Sequence, residues 1–230
     1  MHRFFLEPAE MAGERFPIPP ALAHQVKRVL RLADGDQLLL LDGLGVQVRC
    51  RLEGGDCVVM ERRATTGEPT HKLTVWQALL KGDHLEPVVR HGTELGIARF
   101  GLFVSERSVA RDLSPRKLER LRAVAREAAE QSERGIVPPV DAAVTFAEAI
   151  KAAAPGSVLL FERHEGSRLT EMGPPPSVFI GPEGGFSPGE VEAAERAGLA
   201  IAGLGPRILR SESVAVAVAA AILSRTGDFA

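Results

Sequence analysis

A glycine-rich stretch, FIGPEGGFSPGE at residues 179–190, constrains the fold of this chain more than any other feature of its sequence. The apolar residues that end at Ile180 predict a buried strand, because a Gly-Pro pair cuts them off. Ser187 and Glu190 have the spacing of a capping box, and Pro188 suits the first helical position. We therefore expect a strand, a loop and a helix N-terminus, where free backbone N–H groups can bind a ligand. A plain tight turn is the alternative, but a connection of about 2–6 residues does not need three glycines.

A second loop of the same kind follows. Gly198 is placed to end the helix after the first loop, and residues 199–203 predict a short strand. The loop at 204–213 then leads into residues 214–223, an Ala/Val-rich helix that is apolar on nearly all sides and is expected to be buried. Adjacent strand ends that carry glycine loops form a ligand crevice in an open parallel sheet.

The pattern of the chain changes near residue 68. The polar, Gly/Pro-marked segment 64–70 indicates a domain boundary. After it, predicted strands and helices alternate, which is typical of an α/β fold with a parallel sheet. Before it, Asp-Gly and Gly-Gly turns separate three strand-like runs of a small β-rich domain, at residues 36–42, 46–52 and 57–63.

Composition restricts the protein class. The chain has 230 residues, with 45% hydrophobic and 25% charged residues, which is ordinary for a globular protein. Its apolar runs stay well below the ~18 residues of a membrane span, and no signal peptide opens it, so we expect a cytoplasmic protein without membrane contact. Cys50 and Cys57 lack metal-ligand spacing and are expected to be reduced core residues. No cluster of ligating residues suggests a metal.

The net charge of −2 gives no general case for a nucleic-acid partner, but one segment is locally basic. Residues 20–32 predict a helix with Leu22, Val26, Val29 and Leu30 turned inward. Its other face carries His24, Lys27, Arg28 and Arg31, which suits RNA phosphates or an ordinary solvated surface. Arg3 precedes two phenylalanines that could stack on bases, or simply fill the core.

The loops exclude several ligand classes. They lack Gly-x-Gly-x-x-Gly, so a nicotinamide or flavin site has a weak case, and they lack the Gly-Lys-Ser/Thr of a nucleotide-triphosphate loop. No Gly-x-Ser-x-Gly elbow is present. Loops rich in backbone donors and poor in lysine suit a cofactor with an adenosine end and no phosphate.

Two segments of this region closely resemble the C-terminal signatures of one methyltransferase family. They are GPEGGF at 181–186 and LGPRILRSE at 204–212. The family is the SPOUT-class ribosomal RNA small-subunit methyltransferase E family, which methylates N3 of a uridine in small-subunit ribosomal RNA. Residues 127–134, 93–96 and 24–31 also agree, so the resemblance covers nearly the whole chain.

The resemblance implies a PUA-like β-barrel RNA-binding domain at 1–68, followed by a SPOUT methyltransferase domain with a C-terminal trefoil knot at 69–230. It also implies a homodimer that acts on small-subunit (16S) ribosomal RNA, in an assembled particle. S-adenosylmethionine would lie bent in the knot, with its adenosine held by backbone groups near Leu160, Phe161, Glu162, Ile180, Gly181, Leu204, Gly205, Arg207, Ile208 and Leu209. The same likeness indicates RNA contacts at Gln131, Ser132 and Arg134.

The first glycine loop is expected to touch the cofactor through Glu183, Gly184 and Gly185. A Cβ at Gly184 would then block the close approach of the backbone to the ligand.

The chemistry of the reaction points to further residues. Uracil N3 carries a proton and becomes a good nucleophile only when that proton leaves, so a cation near the resulting anion and a proton acceptor are needed. Arg210 is our candidate for the cation, because its loop adjoins the cofactor; an ion pair with Glu212 or Glu183 is the structural alternative. Glu183 and Glu94 are candidates for the base, although either could be a structural cap.

Two other functions remain open at this point. One is another SPOUT enzyme, such as a ribose 2′-O-methyltransferase, which the Gly-Pro-Glu-Gly-Gly-Phe loop with an N-terminal barrel disfavours. The other is a non-catalytic RNA-binding or ribosome-assembly factor. Binding of S-adenosylmethionine separates the enzymes from that factor, and also argues against an NAD-dependent oxidoreductase.

Overall fold

The computed structural model describes residues 1–162, 164 and 166–228, with the backbone alone at Ala21. The chain forms two compact units. The first contains residues 1–68 together with 129–137, and the second contains 69–128 and the chain from 138 onward. Residues 129–137, which the sequence assigns to the second domain, thus belong to the first unit.

The first unit is built on a five-stranded sheet with the order β1-β3-β4-β5-β2, in which β1 and β3 are parallel and the other neighbours are antiparallel. Its elements are β1 (His2–Phe5), β2 (Arg15–Pro17), α1 (Pro20–His24), β3 (Gln37–Leu41), β4 (Val46–Glu53) and β5 (Asp56–Ala64). Cys50 and Cys57 are free and buried in its apolar core, as predicted. A hydrogen bond with Cys57, together with burial, raises the pKa of Cys50, which therefore stays a protonated thiol at neutral pH.

The helix predicted within residues 20–32 is present, but the side chains that it turns toward the core differ from the prediction. After α1 the chain continues as one π-helical turn, Gln25–Val29. Leu22 and Val26 are buried as predicted, whereas Val29 is 62% exposed. A π turn inserts an extra residue into the helical repeat, so the inward face rotates and the prediction for Val29 is wrong.

An ion pair explains why residues 129–137 join the first unit. The Glu68 carboxylate accepts hydrogen bonds from the Arg134 guanidinium at 2.8 Å and from the N–H groups of Gly135 and Ile136 at 2.9 and 3.0 Å. Both side chains are nearly buried. Loss of either partner would leave an uncompensated buried charge, which is strongly destabilising.

The second unit contains the parallel sheet that the alternating pattern predicts. Its six strands have the order β11-β9-β10-β6-β7-β8, and every neighbouring pair is parallel. Most residues of these strands are apolar, as expected for a sheet covered on both faces, although Gln77 and Ser177 are polar and buried. The elements are β6 (Thr74–Ala78), α2 (Leu85–Glu94), β7 (Arg99–Val104), α3 (Pro115–Gln131), β8 (Val140–Thr145), α4 (Phe146–Lys151), β9 (Val158–Leu160), β10 (Ser177–Ile180), α5 (Pro188–Arg196), β11 (Ala200–Ala202) and α6 (Ser211–Leu223).

The two strands that precede the glycine loops are not adjacent, contrary to the prediction. Strand β9 lies between β10 and β11 and pairs with both. The carboxyl end of β9 at Leu160 therefore lies between the two loops. Sequence order cannot reveal this, because β9 precedes both of the other strands in the chain.

The helix after the first loop has the predicted ends. Ser187 is the N-cap and accepts from the N–H of Glu190 at 3.3 Å, while the Glu190 carboxylate accepts from the N–H of Ser187 at 2.9 Å. Gly198 has φ +86°, and the Gly198 and Leu199 N–H groups bond back to the last helical turn as in a Schellman motif.

The last helix is less buried than predicted. One face of α6 is in the core, with Ala215, Val218, Ala219 and Ile222 fully buried. Val214, Val216 and Ala217 are only half-buried, so apolar surface remains on the other face. None of the described helices is both long and apolar enough to cross a membrane.

Candidate functional site

A cavity of about 480 Å³ lies at the carboxyl ends of the central strands of the second unit. This is the volume of a small-ligand or cofactor site, and its position is the usual one in open α/β sheets. It is lined by the ends of β9 and β10, the two glycine loops, the first turn of α6 and the segment after β6.

Twelve of the thirteen residues predicted to bind the cofactor line this cavity. They are Leu160, Phe161, Glu162, Ile180, Gly181, Glu183, Gly185, Leu204, Gly205, Arg207, Ile208 and Leu209. The cavity lining combines aliphatic residues, glycine backbone and the charged residues Glu162, Glu183 and Arg207. That combination fits a neutral adenosine together with a charged amino-acid end.

Hydrogen bonds with Ser105 and Glu106 hold the first glycine loop in place. Ser105 Oγ and the Glu106 N–H donate to the Glu190 carboxylate at 3.1 and 2.9 Å. Ser187 Oγ donates to the Glu106 carboxylate at 2.6 Å. Inside the loop, Gly185 has φ +67°, and a Cβ there would lie 2.6 Å from Glu162 Oε1. Gly185 is thus favoured by its backbone conformation, and a Cβ there would also make the exposed Glu162 side chain shift.

Gly184 is the one residue predicted to bind the cofactor that does not line the cavity. A Cβ there would meet the Cβ of Arg107 at 3.1 Å. Arg107 Nη1 donates to the Gly184 carbonyl at 3.2 Å. The side-chain direction of Gly184 points toward this contact, so a larger residue there would disturb the support of the loop and not block a ligand.

The second loop is exposed. Arg207, Ile208, Leu209 and Arg210 are exposed in succession, Ile208 by 77%. Gly205 has φ +117° with open space beside it. Arg210 is the N-cap of α6, and its carbonyl accepts from the N–H groups of Ser213 and Val214.

The structural alternative for Arg210 is not supported. Within the described part of the chain its guanidinium makes no hydrogen bond or ion pair. Glu212 lies beside His84, and Glu183 accepts from the N–H of Lys81 at 3.1 Å. Both carboxylates that could have held Arg210 in place are therefore directed to other groups.

The two candidate bases lie in different places. Glu183 lines the cavity, whereas Glu94 does not. Glu94 pairs with His91 Nδ1 at 3.1 Å on the exposed side of α2. The geometry therefore argues against Glu94 as the base.

Sequence reasoning missed several lining residues, of which Lys81, His84, Ser211 and Glu212 are polar. A signal for the first two was present. Lys81–His84 directly follows a predicted strand, and the carboxyl ends of parallel strands meet at one edge of the sheet. The buried Gln77 amide donates to Ser211 Oγ at 2.9 Å, and Ser211 Oγ donates to the Gly181 carbonyl at 2.5 Å. Ser211 thus connects the first loop to α6.

The residues predicted to contact RNA divide into two groups. His24, Arg28, Arg31 and Gln131 are exposed. Arg134, by contrast, is 5% exposed and bound to Glu68, so it is a structural residue, and the RNA-binding prediction for it conflicts with its burial. Arg3 is half-buried and pairs with Glu133 at 2.7 Å.

Arg3 also lines a polar cavity of about 460 Å³ in the first unit. Arg49 and Arg63 line it too, and Glu61 pairs with both, at 3.3 and 3.9 Å. Arg49 Nε is buried and has no partner in the described part of the chain. The register explains the cluster, because Arg3, Leu39, Arg49 and Glu61 form one row across four strands.

Across residues 1–162, 164 and 166–228, no three His, Cys, Asp or Glu side chains converge to hold a metal ion.

Comparison with known proteins shows to which class of protein this chain belongs. Residues 66–223, which include every part of the cavity, match the RNA methyltransferase domain family. A Synechocystis ribosomal RNA small subunit methyltransferase E is 33% identical over 91% of this chain and 73% of its own. The protein of the same name from Bacillus subtilis is 30% identical over 98% and 97%. The chain therefore belongs to the ribosomal RNA small subunit methyltransferase E family.

A solved structure agrees over both units. The ribosomal RNA small subunit methyltransferase E of Neisseria gonorrhoeae, bound to S-adenosyl methionine, has a TM-score of 0.86 and 27% identity, with 98% of each chain covered. The recognition of this family from its glycine-loop signatures is thus confirmed.

Proposed function

We propose that this chain transfers the methyl group of S-adenosylmethionine to N3 of a uridine in small-subunit (16S) ribosomal RNA. The observation that carries the proposal is the cavity between the two glycine loops, with a guanidinium at its edge that is free of bonds to the described residues. Membership of the methyltransferase E family supports the reaction class, the cofactor and the ribosomal RNA substrate.

The lining residues suit S-adenosylmethionine. The aliphatic side chains of Leu160, Ile180 and Ile208 can cover an adenine ring, while backbone groups of both loops bind its polar edge. Glu162 and Arg207 lie where charged ends of the ligand can be matched. When bound, this cofactor supplies an electrophilic methyl group on a sulfonium.

Arg210 stabilises the uracil anion in this proposal. Its backbone is fixed at the start of α6, and its side chain lines the cavity without an acidic partner among the described residues. A planar donor that reaches the developing negative charge from a fixed backbone lowers the barrier to methyl transfer. Glu183 lies at the same cavity and remains a candidate to assist the loss of the N3 proton.

The first unit binds the RNA in this proposal, as a PUA-like barrel would. The exposed basic face with His24, Arg28 and Arg31 can contact phosphates. The polar cavity with Arg3, which also holds Arg49 and Arg63, offers a second place for an anion, because the buried Arg49 Nε has no partner in the described part of the chain. Gln131 is exposed and available for a further contact.

We also propose a SPOUT-type trefoil knot and a homodimer. In support of the knot, residues 167–169 hydrogen-bond to Gly203 in both directions, just before the chain enters α6. In support of the dimer, α6 keeps half-buried Val216 and Ala217 on its outer face. Light scattering of the purified protein tests the dimer, and a monomer would overturn it. The reaction belongs in the cytoplasm, where ribosomal particles assemble.

The deciding experiment is methyl transfer to unmodified small ribosomal particles from radiolabelled S-adenosylmethionine, followed by nucleoside analysis. Labelled 3-methyluridine is the expected product. A labelled ribose would indicate a 2′-O enzyme, and cofactor binding without transfer to RNA would indicate an assembly factor.

A second experiment tests the RNA surface. The double variant Arg28→Ala/Arg31→Ala is expected to bind RNA more weakly, with a slope of log affinity against log salt reduced by about 1–2. An unchanged salt slope would make that face an ordinary solvated surface. The control is Arg196→Ala, which removes an exposed charge from α5 in the other unit.

A further inference from the structure

A histidine and a carboxylate lie together in the cavity and have no part in the function proposed so far. His84 Nδ1 is 3.4 Å from Glu212 Oε1. Both residues line the cavity that also contains Arg210. The His84 side chain is 40% exposed and the Glu212 side chain 19%, so the ring is accessible while its partner is mostly covered.

The pair is fixed from both sides. His84 is the N-cap of α2, and its N–H donates to the Lys81 carbonyl at 3.4 Å. Glu212 is in the first turn of α6, whose first residue, Ser211, is bonded to Gln77 and to the Gly181 carbonyl. The backbone that carries each side chain therefore has a defined position relative to the first glycine loop.

The chemistry of the pair suits proton transfer. An imidazole with one nitrogen directed at a carboxylate keeps its second nitrogen free to accept a proton, as in many acid–base sites. Imidazole is also about two pKa units more basic than a carboxylate in reference peptides, which favours it as acceptor for the weakly acidic N–H of uracil. Glu183 is less suited, since one of its oxygens already accepts from the Lys81 N–H.

We propose that His84, oriented by Glu212, is the base that removes the N3 proton of the target uridine, an inference that rests on the function proposed above. The N3–H bond breaks, its electron pair stays on N3, and the proton moves to the imidazole. The N3 pair then forms the new N–C bond with the methyl group as the sulfur–carbon bond breaks, and sulfur keeps that electron pair. The imidazolium later releases its proton to water.

The surroundings of His84 carry charges of both signs. The charged groups that line the cavity with it are Lys81, Glu162, Glu183, Arg207, Arg210 and Glu212, and Asp83 precedes it in the chain. Arg210 and His84 have complementary roles, because the guanidinium stabilises the uracil anion that forms when the imidazole removes the proton.

The test is His84→Gln with single-turnover methyl transfer measured across pH. We expect a loss of roughly 10²-fold at pH 7, which is the usual scale of general base catalysis. The wild-type rate should rise with pH and level off once the base has lost its proton. In the variant this levelling should disappear, while the affinity for S-adenosylmethionine, measured by calorimetry, should stay within about twofold of wild type.

Two further variants complete the design. His91→Gln is the matched control, because His91 also lies on α2 beside a glutamate but outside the cavity, and it should keep the wild-type rate and pH profile. His84→Ala should regain activity with added imidazole. A wild-type rate and profile in His84→Gln, or no rescue of His84→Ala, would overturn the assignment. If the wild-type protein itself transfers no methyl group to the particles, the proposed function fails instead.

Discussion

The two glycine loops of the second unit share a Gly-Pro pair and each lead into a helix, but they are held in different ways. In the loop at 181–190, Phe186 is buried, and Glu190 accepts one hydrogen bond from Ser187 in the loop and two from Ser105 and Glu106 outside it. In the loop at 204–210, five consecutive residues from Pro206 to Arg210 are exposed, and the N-cap Arg210 makes no side-chain cap bond. The first loop is therefore part of the fold, whereas the side chains of the second are available to a ligand.

The difference follows from the helix starts. A Ser/Glu capping box satisfies two orphan N–H groups of α5 and simultaneously ties the loop to Ser105 and Glu106. An arginine in the capping position of α6 cannot accept hydrogen bonds from the N–H groups at the start of that helix. Its guanidinium therefore remains available for another interaction. Each of the following substitutions can sharpen or break this contrast.

Arg210→Lys has the largest expected effect. Lysine keeps the charge but not the planar fork, so the rate of methyl transfer should fall by roughly 10²-fold or more, the scale for loss of one oriented donor to an anion. Affinity for S-adenosylmethionine should stay within a few-fold, as measured by calorimetry alongside single-turnover rates. Arg196→Lys, on the exposed face of α5, is the control. A parallel fall of rate and affinity would place Arg210 in the scaffold and remove the contrast between the loops.

Glu190→Gln should act first on the stability of the fold and not on the methyl-transfer step. The carboxylate accepts from Ser105 Oγ, the Glu106 N–H and the Ser187 N–H, and an amide would turn a donor toward some of them. We expect the free energy of unfolding to fall by roughly 2 kcal/mol, or about 4–8 °C in Tm for a chain of this size. Thermal denaturation against Glu195→Gln, an exposed change on the same helix, measures it. Equal Tm values would show that the first loop is no better anchored than the second.

The sequence predicted local structure well, and it failed where distant residues decide. The capping box at Ser187 and the Schellman end at Gly198 are signals carried by a few neighbouring residues, and both are confirmed. The strand order was not accessible, because β9 inserts between β10 and β11 only through sheet pairing. The outward turn of Val29 depends on a single π turn, which no local residue pattern announces.

The candidate site shows the same distinction between what neighbouring residues predict and what distant contacts decide. Residues in the two loops could be found from glycine, proline and family signatures. His84 lies at the cavity and Glu94 does not, because only the N-terminal end of α2 meets the cavity and Glu94 is at the other end of that helix. Likewise, the burial of Arg134 depends on Glu68, which is 66 residues away in the chain. Charged side chains look alike in sequence, and only their partners separate binding residues from structural ones.

Gly185→Ala tests whether the shape of the first loop is needed for the ligand. A non-glycine residue at φ +67° costs about 1–2 kcal/mol, and the new Cβ would have to displace the Glu162 carboxylate at 2.6 Å. We expect the affinity for S-adenosylmethionine to fall about tenfold. Gly173→Ala, which adds a Cβ in open space without a positive φ, should bind normally. If both variants bind alike, the loop adapts to the cofactor and is not preformed.

Ile208→Ala has the smallest expected effect and tests the second loop directly. Ile208 is 77% exposed, so its truncation should change the free energy of unfolding by less than about 0.5 kcal/mol. It lines the cavity, however, and a ligand that covers it would bury part of a side chain whose full burial is worth about 1.5–3 kcal/mol. We therefore expect S-adenosylmethionine to bind about three- to fivefold more weakly with an unchanged Tm. Val109→Ala removes an equally exposed side chain away from the cavity and should change neither quantity. A lower Tm with unchanged affinity would mean that Ile208 packs within the fold in solution, and the second loop would then resemble the first.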